Sequence, residues 1–142
     1  MNELELTVTR TIPAPREKVF DAWLSPKILG QFMRPSSSMT SPSKVTNDPV
    51  KGGQFTILMI SEGRELPHTG TYLEIDPYSR LSFTWASENS LDDSVVTIDF
   101  TEPKPGTTDI TLKQVKFRSE AERQGHTQGW TAIIEQLEKI LA

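Results

Sequence analysis

Apolar side chains recur at intervals of three and four in the last stretch of the chain, Ser119 to Ala142. Trp130, Ile133, Ile134, Leu137, Ile140 and Leu141 share one helical face, with Glu135, Glu138 and Lys139 between them. Ser119 and Glu122 have the spacing of a capping box, Ser-x-x-Glu, which satisfies backbone N–H groups at a helix start. The pattern predicts one amphipathic helix over 119–141. Gly129 stands just before Trp130, and glycine costs up to about 1 kcal/mol relative to alanine inside a helix. Either something packs close to the backbone there or the helix bends.

Upstream the period changes to two. Residues 3–12 read as a half-buried strand, with Leu4, Leu6, Val8 and Ile12 on one face. Pro13 ends it. Pro15 at a first helical position opens a helix through Leu24, with Val19, Phe20, Trp23 and Leu24 on one side. Ser25-Pro26 caps a second short helix, to about Gly30; Pro26 cannot donate into the first helix's hydrogen-bond ladder. Gln31 to Val50 is rich in serine and proline and reads as loop, with one short strand around Met39 to Val45. After the Gly52-Gly53 turn, Phe55, Ile57 and Met59 alternate with Thr56, Leu58 and Ile60. Ser61 to Pro67 reads as a polar turn, Thr69 to Ile75 as a strand and Asp76-Pro77 as a turn. Leu81, Phe83 and Trp85 mark the next strand, Glu88 to Asp93 a turn, and Val96, Ile98 and Phe100 another strand. A turn at Pro103 to Gly106 precedes a last strand with Ile110 and Leu112.

The order is strand, two short helices, five or six strands and one long helix. Such an α+β chain forms a curved antiparallel sheet wrapped around the C-terminal helix, the helix-grip arrangement. Curvature leaves room for a cavity between sheet and helix, with the two short helices closing one end. Residues 1–142 are expected to form one such domain.

Composition narrows the partners. The 142 residues carry 15 basic and 19 acidic side chains, for a net charge of -4, with no basic stripe to meet nucleic acid. No cysteine is present, which excludes disulfides and thiolate metal sites. No apolar run is long enough for a membrane span, and MNELELTVTR lacks the features of a signal peptide. A cytoplasmic protein, monomer or homodimer, is the expectation. No metal is expected: His68 and His126 are the chain's only histidines and lack metal-ligand spacing. His126 is placed to anchor the first turn of the long helix, and His68 to reach the mouth of a cavity. Gly52-Gly53 does not fit a phosphate-cradling loop, so no cofactor is expected. Ser36, Ser37 and Ser38 lie in a loop without a nucleophile elbow, and Glu74 and Asp99 sit at solvent-facing strand positions, so no catalytic residue is assigned.

Three stretches carry a family resemblance. They are TRTIPAPREKVFDAWLSP (Thr9 to Pro26), KGGQF with TGTYLEIDPYSRLSFTW (within Lys51 to Trp85), and GHTQGWTAIIEQLEKIL (Gly125 to Leu141). Their order and spacing resemble the homologues of the C-terminal domain of the activator of the Hsp90 ATPase. That family sits in the superfamily of START domains, polyketide cyclases and the birch-pollen allergen. The chain departs at Phe32-Met33, where the family commonly has a tryptophan, and Ser61-Glu62-Gly63 resembles the family's acidic-glycine hairpin. The eukaryotic activator also uses a separate N-terminal domain, for which 142 residues leave no room, so chaperone stimulation is expected to be absent or weak.

The resemblance implies a ligand cavity between sheet and long helix. Its candidate lining is Phe32, Met33, Phe55, Ile57, Met59, His68, Tyr72, Phe83, Trp85, Val96, Ile98, Trp130 and Ile134, residue types that serve equally well in a filled core. Tyr72 lies opposite Thr71 and Leu73 in the alternation, so an inward Tyr72 requires a bulge or another register. Three functions stay open: binding of a small apolar, aromatic or amphipathic molecule, an enzyme of the polyketide cyclase or hydrolase kind, and a protein partner related to the chaperone system.

Overall fold

A computed structural model describes residues 4–36, 39–87 and 93–141. The elements run β1 (Glu5–Ile12), α1 (Arg16–Ala22), α2 (Pro26–Phe32), β2 (Lys44–Asn47), β3 (Gln54–Ser61), β4 (Arg64–Asp76), β5 (Arg80–Thr84), β6 (Val95–Lys104), β7 (Thr107–Val115) and α3 (Glu120–Leu141). The strands form one curved seven-stranded antiparallel sheet in the order β1-β7-β6-β5-β4-β3-β2. Neighbours in sequence are neighbours in the sheet, except that β1 closes onto β7. The long helix and the two short ones bury the sheet's apolar face. Leu6, Val8, Leu81, Phe83, Val96, Ile98, Phe100, Ile110 and Leu112 join Ile133, Ile134, Leu137 and Leu141 of α3 in one buried cluster. No helix among the described residues is long and apolar enough to cross a membrane.

The helix starts follow their local chemistry. The Ser25 hydroxyl accepts the Ile28 N–H at 3.4 Å and Pro26 occupies the first turn of α2, as its fixed φ allows. In α1, Pro15 is the extended residue before the helix, one position earlier than the sequence pattern places it. At α3 the Ser119 hydroxyl accepts the Glu122 N–H at 3.1 Å, half of a capping box. The reciprocal bond is displaced by one residue: Glu122 Oε1 accepts the N–H of Arg118 at 3.1 Å.

Two strands differ from their sequence pattern. β2 lies at Lys44–Asn47, a little beyond the expected Met39 to Val45. The expected polar turn at Ser61 to Pro67 is mostly strand, and only Glu62 and Gly63 turn, both at positive φ. Two positive-φ residues suit a tight hairpin whose twist matches its strands. Pro67 is tolerated because Thr69 donates its N–H to Ala86, away from β3; two residues earlier, Pro67 falls on that same side, beyond the reach of β5. The expected turn at Glu88 to Asp93 lies largely outside the described residues, as do Ser37 and Ser38.

The β4–β5 register shifts between Tyr72 and Glu74. This bulge turns Tyr72 inward, 3% exposed, and leaves Leu73 at 42%. Gly70 is a close approach: a Cβ there would stand 2.4 Å from the ring of Phe55, its cross-strand partner.

Candidate functional site

The main concavity lies between the N-terminal half of α3 and the β3–β4 end of the sheet. It is an open pocket of about 450 Å³. Met59 of β3, His68 of β4 and Trp85 just after β5 form its sheet wall, and Pro35 and Ser87 lie at its margin. Trp130 and Ile133 form the apolar part of the helix wall, and Glu122 and His126 the polar part. Ala121, Gly125 and Gly129 complete that wall and recur every four residues, so they share a face. A Cβ on Gly125 would meet nothing within 4 Å, and one on Gly129 would stand 3.3 Å from Pro35 Cβ. The small residues therefore leave space that larger side chains would occupy. A smaller hollow of about 220 Å³ adjoins, sharing Pro35, Met59, His68 and Ser87 and adding Met39, Leu66 and Pro67.

Aromatic rings form the pocket floor. Trp85 lies 4.9 Å from Trp130 and 5.1 Å from His68, centroid to centroid. Behind them Trp130 meets Trp23 at 6.4 Å, and Trp23 meets Phe32 edge-on at 5.0 Å. Trp130 is held in place by a buried relay. Its indole N–H donates to Gln114 Oε1 at 2.6 Å, Gln114 Nε2 donates to Ser94 Oγ at 2.9 Å, and Ser94 donates to the Val115 carbonyl at 2.7 Å. Gln114 and Ser94 are fully buried, so these bonds replace those otherwise made with water.

The polar rim is oriented by backbone. His68 Nδ1 lies 3.0 Å from the Leu66 carbonyl, and His126 Nδ1 lies 2.8 Å from the Glu122 carbonyl. A carbonyl only accepts, so in both rings Nδ1 carries the hydrogen. The Glu122 side chain is 9% exposed and pairs with Arg118 at 2.7 Å. Burial pushes its carboxyl up, but the hydrogen bonds from the Arg118 guanidinium and backbone, with the nearby Arg118 and His126 charges, outweigh this and hold it below the usual carboxylate range. Among the described residues no cluster of three or more His, Asp or Glu is placed to hold a metal ion.

The residues expected to line a cavity fall into three groups. Met59, His68, Trp85 and Trp130 line the open pocket. Met33, Phe55, Ile57, Tyr72 and Phe83 surround an inner gap of only about 10 Å³, with Trp23, Leu29 and the other side of Trp85. Phe32, Val96, Ile98 and Ile134 are buried and line neither space. Pro35, Glu122, Gly125, His126 and Gly129 were not among the expected cavity residues. For the four helix residues the signal in the sequence was the four-residue recurrence of Ala121, Gly125 and Gly129 beside that of Glu122, His126 and Trp130; Pro35 had no such signal.

A curved antiparallel sheet gripping a long C-terminal helix, with two short helices after the first strand, defines the helix-grip class. Over residues 13–142 the chain matches the family of activator of Hsp90 ATPase homolog 1-like proteins, and it belongs to that family. A solved protein from Chromobacterium violaceum has the same fold at TM-score 0.82 and 22% identity, over 96% of each chain. An AHSA1-like protein from Aeromonas hydrophila aligns at TM-score 0.78 and 25% identity, over 96% of this chain and 90% of the other. An HSP90 activator from Plasmodium falciparum shares the fold at TM-score 0.78 and 21% identity, over 97% of this chain and 96% of the other. No curated protein matches the chain in sequence.

Proposed function

We propose that this protein binds a small apolar or amphipathic molecule in the open pocket beside the N-terminal half of α3. One observation carries the reading. A space of about 450 Å³ is floored by Trp85 and Trp130, and its helix wall is kept open by Gly125 and Gly129. Such a concavity, mostly apolar with a few oriented polar groups, is the usual form of a small-molecule site. Affinity comes from burying the ligand against the tryptophan faces and Met59, at about 25 cal/mol per Å² before ordering costs. Orientation comes from the rim of His68, His126 and Glu122. Pro35 at the pocket and Met39 at its neighbouring hollow serve as part of the rim.

The test is a thermal-shift panel of apolar and amphipathic compounds, paired with native mass spectrometry of the protein as purified. Saturable stabilisation by panel members, with one added mass per chain, supports the reading. No shift from any compound and no added mass overturn it. An enzyme of the cyclase or hydrolase kind is the second reading, favoured by the convergence of both histidines and Glu122 on one pocket. Recovery of bound compounds unchanged supports binding alone; conversion that is lost in His126→Gln supports the enzyme.

A further inference from the structure

The charged groups of the open pocket narrow the class of ligand it suits. Among the described residues its lining holds no lysine, arginine or aspartate, and one glutamate, Glu122. That carboxylate is already matched. The Arg118 guanidinium pairs with it at 2.7 Å, and the Arg118 backbone N–H donates to it at 3.1 Å. Against burial, these bonds hold the Glu122 carboxyl below the usual carboxylate range, so it is ionised from about pH 5.5 to about pH 8. Throughout that range Glu122 and Arg118 together contribute no net charge.

What changes the pocket's charge is its pair of imidazoles, His68 on the sheet wall and His126 on the helix wall. With Nδ1–H committed to the Leu66 or the Glu122 carbonyl, a second proton enters at Nε2 and makes the ring cationic. His68 has Ile57 opposite it on β3 and the Trp85 ring at 5.1 Å. His126 has the Phe117 ring at 5.3 Å and Glu122 one turn earlier on α3, whose charge attracts its own. From its described lining the pocket is neutral when both rings are neutral and positive when either is protonated. An occupant of a space of about 450 Å³ walled by both rings lies near both. A unit charge at about 12 Å, with an effective dielectric of about 20, still changes affinity about tenfold.

We propose that the open pocket takes an anionic amphiphile, an aromatic body carrying a carboxylate or sulfonate group, whose charge is met by His68 and His126. This rests on the binding function proposed above and gives its ligand a sign. An anion between the two rings favours their protonated forms. Binding therefore takes up protons and tightens as pH falls, whereas a neutral ligand of the same shape gains nothing.

The test is isothermal titration calorimetry with a matched pair of probes, naphthalene-2-sulfonate and naphthalene-2-sulfonamide. They are close in shape and differ by one charge across the range used. At low salt, the affinity of the sulfonate relative to the sulfonamide should rise about tenfold from about pH 8 to about pH 5.5. Titrations in two buffers of different ionisation enthalpy should show proton uptake with the sulfonate and none with the sulfonamide. In a protein carrying both His68→Gln and His126→Gln, the ratio of the two affinities should no longer change with pH. Probes that bind with a ratio flat in pH, or one that falls on acidification, overturn this inference and leave the binding function standing. A pH-dependent ratio that survives in the double variant overturns the assignment to the histidines. If neither probe binds, this inference falls, and the thermal-shift panel decides the binding function separately. Should the double variant fail to fold, the ratio and the proton uptake in the unmodified protein still decide it.

Discussion

Gln114 shows how one polar residue can fix a site. It occupies an inward position of β7, in step with Thr108, Ile110 and Leu112, and period two alone marks such a position as apolar. Its amide bridges Trp130 to Ser94, so Gln114→Leu leaves the Trp130 N–H buried and unmatched. A loss of about 1–3 kcal/mol in chemical denaturation is expected; a loss within error of zero would show that the relay does not hold Trp130. Glu122 gives a pH test. Its carboxyl is held below its ordinary value in the folded state, so the ionised carboxylate stabilises the fold, and on acidification the unfolded state takes up its proton first. The contribution is complete above the unfolded carboxylate pKa of about 4.3 and is lost as pH falls through the lower folded-state value. The unmodified protein should therefore lose stability relative to Glu122→Gln on acidification through that window. Other carboxylates with lowered values, such as Glu102 and Glu120, cancel in the comparison. A difference that is flat with pH would contradict the assignment.

The element with the most to test is α3. Gly125 lies inside the helix, and a Cβ there meets nothing. Gly125→Ala should raise stability by about 0.5–1 kcal/mol through backbone entropy. Gly129→Ala should gain less, because Pro35 must give way. Measured by urea midpoint, a destabilising Gly125→Ala would mean that the helix is not regular there. Trp130→Ala should cost about 3–5 kcal/mol, and a loss under about 1 kcal/mol would remove Trp130 as an anchor of the core. Much of this element was legible in the sequence, because capping and a one-faced stripe are local signals. Of the two explanations for Gly129, close packing is the one observed. The strands were legible wherever apolar alternation was unbroken, as in β5, β6 and β7. They were not in the first part of β4, Arg64 to His68, where polar residues and Pro67 hid strand that is fixed by the turn at Glu62 and Gly63 and by pairing with β3.

At the scale of the molecule, gap and core could not be told apart from residue types. Phe55, Met59, Val96 and Trp130 have similar chemistry and were indistinguishable as lining. Packing separates them: Met59 and Trp130 face open space, Phe55 closes on a nearly filled gap, and Val96 is enclosed. His68 and His126 were legible as individuals, one near a rim and one at a helix start, but not as a pair, since only the fold brings β4 opposite α3. The central claim, that the open pocket takes an apolar ligand, predicts that closing it with one side chain abolishes binding without harming the fold. The direct measurement is a fluorescence titration of 8-anilinonaphthalene-1-sulfonate into the unmodified protein and Gly125→Leu. Saturable binding at one site in the first, weakened at least about tenfold in the second with no fall in melting temperature, is the predicted result. Absence of saturable binding, or equal affinity in the two proteins, would contradict it.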